Sequence, residues 1–173
     1  MTSVALYTVL IGAVGLERLA ELVLSARNIR AAMARGAVEA GFGHYPVMVV
    51  LHTGLLVGAL AEVLVAGRPF DPWLGWPMLA LVLAAQALRW WCITTLGPAW
   101  NTRVVVLPGA ALVRTGPYRW LRHPNYLAVV VEGVALPLVH GAWVTALVFT
   151  VANAALLRTR IRCEVAALRE VHE

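Results

Sequence analysis

The chain has 173 residues, a hydrophobic content of 61% and a mean hydropathy of +0.77, too apolar for an ordinary soluble domain, whose apolar share is about 45–50%. Its formal charge of +5 comes from 14 arginines and no lysine. These arginines sit between hydrophobic runs, where they act as topology signals and not as a nucleic-acid surface, while the two cysteines, Cys92 and Cys163, exclude a disulfide framework.

Arginine without lysine, beside much Ala, Val, Gly and Leu, resembles the product of a GC-rich bacterial genome. A hydrocarbon core of ~30 Å needs an apolar run of about 20 residues to be crossed by a helix. The length leaves room for five such runs, so the expected fold is all-α integral membrane with five transmembrane helices. Residues 2–16 lack a basic leader and a small-residue cleavage site, which makes the first run a retained span and not a signal peptide.

That span covers about 3–24 and carries Glu17, Arg18 and Glu21, with Arg18 and Glu21 three apart and able to pair. A polar loop with Arg27, Arg30, Arg35 and Glu39 leads through Gly41-Phe42-Gly43-His44 to Tyr45-Pro46, where the proline suits a helix start. The second span, about 47–65, holds His52 and Glu62. Gly67-Arg68-Pro69-Phe70-Asp71-Pro72 is a turn. The third span, about 73–96, has Arg89 beside Trp90 and Trp91 and is closed by Gly97-Pro98.

A long loop then carries Arg103, Arg114, Arg119 and Arg122, with an extended segment over 102–107 that ends at Pro108-Gly109. Spans at 124–139 and 143–157 meet at His140-Gly141 as a C-terminal helical hairpin. In the tail, 158–173, Ile161, Val165 and Leu168 recur at helical spacing opposite Arg160, Glu164 and Arg169. The tail therefore reads as an amphipathic cytosolic helix.

Placing the N-terminus outside puts eleven of the fourteen arginines on one side and leaves Arg68 alone on the other. By the positive-inside rule, the loop around Arg119 and the tail are cytosolic. Arg18, His52, Arg89 and Glu132 each lie about 9–14 Å from the cytosolic end of their span, at a rise of 1.5 Å per residue. Ionisable groups at such depth face a bundle interior. They read either as clamps, Glu132 on Arg89 and Arg18 on Glu21, or as the lining of a cavity. On the fourth helix His123, Tyr126, Val130 and Gly133 share one face, and Asn125 and Glu132 lie nearly opposite. No metal site is expected.

Alone, Arg122-His123-Pro124 is a weak signal, a topology anchor before a helix-opening proline. It is followed by eight residues and Gly133, then past a further hairpin by Arg160-x-x-x-Glu164-x-x-x-Leu168, and flanked by Thr115-Gly116-Pro117-Tyr118 and Asn125-Tyr126. In that order, over about 96–168, the pattern resembles the isoprenylcysteine carboxyl methyltransferase family. The resemblance implies an integral membrane enzyme that uses S-adenosylmethionine to methylate a lipophilic acceptor.

It also implies a cofactor pocket closed toward the cytosol. Tyr118, His123, Asn125 and Tyr126 would line that pocket, Glu164 would bind the cofactor's polar groups, and Arg122 or Arg160 would steer anionic ones. The chain then reads as one membrane domain, 1–173, with two N-terminal spans (1–66) and a methyltransferase-like core (73–173). Two departures stand out: Glu164-Val165 replaces the family's usual glutamate pair, and the interval from Gly133 to Glu164 is longer than usual. No G-x-G-x-x-G loop follows a strand, which excludes a Rossmann-type methyltransferase.

Methyl transfer from a sulfonium is an in-line displacement, so the protein must align donor and acceptor and exclude water. A carboxylate acceptor needs no base. A phenol, with a pKa of about 10, needs one, and Glu132 or His52 could supply it, with Arg89 beside them. Bacterial family members that methylate alkylated phenols or pyrones are the nearer match, given His44-Tyr45-Pro46-Val47-Met48 and Trp90-Trp91-Cys92. The expected partners are a lipophilic small molecule and membrane lipid, in a bacterial inner membrane. The alternatives are carboxyl methylation of a prenylated thiol, an NADPH-dependent membrane reductase, and a non-catalytic scaffold.

Overall fold

The computed structural model describes residues 2–40, 43, 45–111 and 113–172, with side chains placed through residue 167. Gly41, Phe42, His44 and the side chains of Leu168 and Arg169, all noted in the sequence, lie outside this set. The elements are α1 (Thr2–Met33), β1 (Val38–Ala40), α2 (Tyr45–Val65), α3 (Pro72–Leu96), β2 (Val104–Val106), α4 (Pro124–Leu138) and α5 (Trp143–His172).

The architecture is mostly helical, with one amendment to the all-α expectation. β1 and β2 pair antiparallel in the register Val38↔Val106, Glu39↔Val105 and Ala40↔Val104. Val104 and Val106 of this ribbon, with Ala40, pack on Ala167 of α5. Arg103 beside β2 reaches Glu39 of β1 at 3.2 Å and lies over the Tyr45 ring of α2.

Among the described residues, three segments are long and apolar enough to cross a membrane: Tyr45–Val65, Pro72–Ala99 and Trp143–Ala167. That is fewer than the five transmembrane helices expected. α4 has 15 residues, short of the run of about 20 that a full crossing takes. α1 has 32 residues but carries Glu17, Arg18 and Glu21 in its middle.

Two helices overrun the limits set by hydropathy. α1 continues through the arginine-rich segment to Met33, and α5 runs unbroken to His172, so the amphipathic tail is the end of α5 and not a separate helix. Apolar character ends near Leu157, but neither 17–33 nor 143–172 contains a Gly or Pro to stop the helix.

Specific caps fix the other ends. Asp71 accepts a hydrogen bond from the Trp73 N–H at 3.0 Å to open α3, and Gly97, at φ +52°, closes it. α5 starts against a carboxylate from another helix. Glu62 of α2 accepts from the N–H groups of Val144 (3.2 Å) and Thr145 (2.8 Å), where the helix dipole favours negative charge. Glu62 also pairs with Arg68 at 3.0 Å.

Tyr7, Ile11, Val14, Ala59, Val63, Val82, Ala135 and Leu136 form the apolar core between α1, α2, α3 and α4. The Tyr7 hydroxyl donates to the Leu136 carbonyl at 3.1 Å. α4 and α5, connected through residues 139–142, come close where Gly133 meets the Phe149 ring, space that a Cβ would occupy. Outward-facing Leu6, Val9 and Leu16 on α1, Val50 and Val57 on α2, and Leu147 and Val151 on α5 present an apolar exterior suited to lipid.

Candidate functional site

Three helices, α1, α3 and α4, meet in a buried ionic network. Arg18 of α1 donates from Nη1 to both oxygens of Glu21, at 2.7 and 2.8 Å, and from Nη2 to Gln86 (2.9 Å) and Glu132 (3.1 Å). Arg89 of α3 reaches the same Glu132 oxygen at 3.3 Å, the Asn125 Oδ1 at 3.3 Å and Glu21 at 3.5 Å. Glu17 accepts from Gln86 and from the Trp90 indole. Both pairs foreseen as clamps thus occur, fused into one network, and Asn125 and Glu132 on the same side of α4 both hold Arg89.

Next to this network lies a cavity of about 120 Å³, roughly ten times the 10–15 Å³ one ordered water needs. Its polar wall includes Arg18, Glu21, His52, Arg89, Asn153 and Arg160, and its apolar wall Leu22, Val49, Val129 and Leu156. His52 sits on α2 with Nδ1 2.8 Å from the Met48 carbonyl, its ring edge-on to Phe149. A carbonyl can only accept, so Nδ1 carries the proton and the Nε2 lone pair is left available.

At the end of the cavity where α4 begins and α5 leaves the apolar zone, a second cluster forms. The Tyr126 hydroxyl donates to Glu164 at 2.7 Å and accepts from Arg160 Nε at 3.2 Å. His123 stacks on Tyr126, with ring centroids 5.2 Å apart, and its Nδ1 is 3.8 Å from Glu164. Arg160 is buried and also ties down the Thr102 carbonyl and contacts Met48. Thr102 is held in turn by Ser25 of α1, and Asn28 donates to the Trp100 carbonyl at 2.6 Å. The segment 97–102 is thereby stitched over the cavity.

One stripe of α5 serves both regions. Asn153, Leu157, Arg160 and Glu164 follow at offsets of four, three and four, which keeps them on one helical face. Asn153, Leu157 and Arg160 line the cavity, and Arg160 and Glu164 belong to the outer cluster. A helix broken near residue 158 could not hold these groups in register.

Of the residues foreseen from sequence, His123, Tyr126, Arg160 and Glu164 come together, and His52, Arg89 and Asn125 line the cavity with Tyr126 and Arg160. Glu132 is bound by two arginines and is absent from the cavity wall. Arg122 is exposed. Tyr118 lies beside Cys92 of α3; its pKa is pushed up from the usual 10.0, first by burial, then by Cys92 and by the charge of Glu164. Gly133 does not continue the His123–Tyr126 surface but meets Phe149. Sequence reasoning missed Asn153 and Trp100, both in the wall; the spacing of Asn153 from Arg160 and Glu164 was the available signal for the first.

Residues 78–170, just over half the chain, match the Isoprenylcysteine carboxyl methyltransferase (ICMT) family. The uncharacterized protein YpbQ of Bacillus subtilis is 39% identical over 166 residues, covering 95% of this chain and 98% of that protein. An uncharacterized protein of Haemophilus influenzae is 28% identical over 154 residues, covering 87% and 88%.

Proposed function

The chain belongs to the isoprenylcysteine carboxyl methyltransferase family of membrane methyltransferases, and on that premise we propose that it transfers a methyl group from S-adenosylmethionine to the oxygen of a long-chain phenolic or pyrone-type lipid. The observation that carries the reading is a shared wall. Tyr126 and Arg160 belong both to the cavity at membrane depth and to the His123–Glu164 cluster at its mouth.

The outer cluster suits the cofactor by its chemistry. A zwitterionic amino acid with a sulfonium calls for a carboxylate, a guanidinium and aromatic faces, and Glu164, Arg160, Tyr126 and His123 provide them within one hydrogen-bonded group. When bound, the cofactor supplies an electrophilic methyl group. The protein's share is to hold that group against the cavity, to keep water out beneath segment 97–102, and to take a proton from the acceptor. His52 is the base: its Nε2 is free to accept, it lines the cavity, and Glu132 is engaged by Arg18 and Arg89.

The proposed topology has all five helices crossing or entering the bilayer of a bacterial inner membrane, with the N-terminus outside and the cofactor site cytosolic. Supporting this, exposed Trp73, Trp76 and Trp143 gather near the starts of α3 and α5, and Trp91 and Trp120 near the other end, as two interfacial belts. Incubating purified protein with labelled S-adenosylmethionine and a bacterial lipid extract tests the activity. Label in a lipid is the expected result. Cofactor binding without a labelled lipid would sink the reading, and stabilisation by NADPH but not S-adenosylhomocysteine would favour a reductase.

A further inference from the structure

Four residues of the cavity wall carry a buried polar atom with no hydrogen-bond partner among the described residues: Arg18 Nε, Arg89 Nε, Trp100 Nε1 and Asn153 Oδ1; of these, Arg18 and Arg89 already belong to the ionic network with Glu21 and Glu132. Trp100 and Asn153 are 2% and 3% exposed, so bulk water does not compensate them. An unmet buried polar group costs about 1–3 kcal/mol, and roughly 90% or more of such groups in folded proteins are paired. Other cavity side chains are committed: Asn125 holds Arg89, and Tyr126 holds Glu164. The unpaired set is therefore selective, and it has a definite polarity. An indole or guanidinium N–H can only donate, and an amide oxygen can only accept.

Apolar surface surrounds these groups. Leu22, Val49, Val129 and Leu156 line the same cavity, as an alkyl chain requires. We infer that Asn153 and Trp100 read the acceptor's head group, Asn153 Oδ1 accepting from a hydroxyl and Trp100 Nε1 donating to a second oxygen of an amphiphile that carries both. This inference rests on the cavity being the acceptor site. A bare carboxylate offers oxygens but no donor and leaves Asn153 Oδ1 facing a lone pair. A fully etherified head has the same deficiency. The chemistry that satisfies the wall is a head group with a hydroxyl beside another ring oxygen or carbonyl. A product whose hydroxyl has been methylated no longer satisfies Asn153, which favours its release.

The test uses full-length protein in nanodiscs, titrated with dodecylresorcinol, its dimethyl ether and dodecanoate, with and without S-adenosylhomocysteine. The wild type is expected to bind the diol at least about tenfold more tightly than either other probe, the ratio that one well-placed hydrogen bond supplies. Asn153→Leu, of similar volume, should bring diol and ether within about twofold of each other. Trp100→Phe, which removes only the N–H and part of the ring, should weaken the diol severalfold through loss of one hydrogen bond. S-adenosylhomocysteine affinity should stay unchanged in both variants, which reports an intact fold. An unchanged diol-to-ether ratio in Asn153→Leu, or equal binding of diol and ether by the wild type, overturns the assignment. Diol preference lost in Asn153→Leu, in a protein that labels no lipid, upholds the head-group assignment and retires methyl transfer.

Discussion

The ionic network at membrane depth and the cluster at the cavity mouth both rest on arginine and glutamate but behave differently. In the network the side chains of Arg89, Glu21 and Glu132 are about 5–6% exposed, and Glu21 and Glu132 each face the guanidinium groups of Arg18 and Arg89. At the mouth, His123 and Glu164 are 31% and 29% exposed and stand 3.8 Å apart, short of a full hydrogen bond. A buried network with its charges matched acts as a fastening; a half-open one retains capacity for a ligand. Polar residues of a membrane enzyme therefore separate into structural and functional sets by how far their valences are already filled. Sequence position alone does not make that separation.

The sharpest way to break this comparison is at Glu132. Glu132→Ala leaves two buried arginines sharing fewer carboxylates, and the cost should be about 3–5 kcal/mol of unfolding free energy in a denaturant titration. Glu132→Gln, which keeps an acceptor oxygen, should cost less. A wild-type midpoint for Glu132→Ala would show that the network does not fasten the bundle.

His52→Gln separates chemistry from architecture. Methyl transfer to a phenolic acceptor should fall on the order of a hundredfold or more, while S-adenosylhomocysteine affinity is retained. An acceptor that is already anionic should be spared, because it needs no base. At the mouth, Glu164→Gln should weaken S-adenosylhomocysteine about tenfold by calorimetry, through loss of a charge-assisted partner, with little change in unfolding. Equal losses of binding and stability would erase the distinction between the two regions.

The smallest effect belongs to Tyr118. Its raised pKa, due first to burial and then to Cys92, favours the neutral phenol in the folded protein. The unfolded chain ionises near pH 10. The contribution is thus fully present below about pH 10 and is lost as pH rises above it. Unfolding free energy measured from neutral to strongly alkaline pH should fall more steeply for the wild type than for Tyr118→Phe. At neutral pH that variant should change the unfolding free energy by no more than about 1.5 kcal/mol, the scale of one polar hydroxyl contact.

Hydropathy made the middle of the chain legible. The spans read at 47–65, 73–96 and 124–139 correspond to Tyr45–Val65, Pro72–Leu96 and Pro124–Leu138, because Pro and Gly mark those ends chemically. The ends of α1 and α5 were not legible, since a change from apolar to charged residues alters solvent preference without interrupting backbone hydrogen bonding. β1 is three residues long, too short to show alternation, and it exists through its pairing with β2.

In the site, the depth of Arg18, His52, Arg89 and Glu132 announced a polar layer. It did not say that Glu132 would be consumed by two arginines while His52 faced a cavity. Asn153, an isolated amide in an apolar run, carries no signal beyond its helical spacing from Arg160 and Glu164. It acquires meaning only because α5 continues far enough to align it with Arg160 and Glu164.

A structure of the protein with S-adenosylhomocysteine bound tests the central claim most directly. The account predicts the ligand's amino-acid end against Glu164 and Tyr126, beside His123, with its sulfur turned toward the cavity that His52 and Asn153 line. A ligand seated away from the His123–Tyr126–Glu164 cluster, or with its sulfur facing solvent, would contradict it.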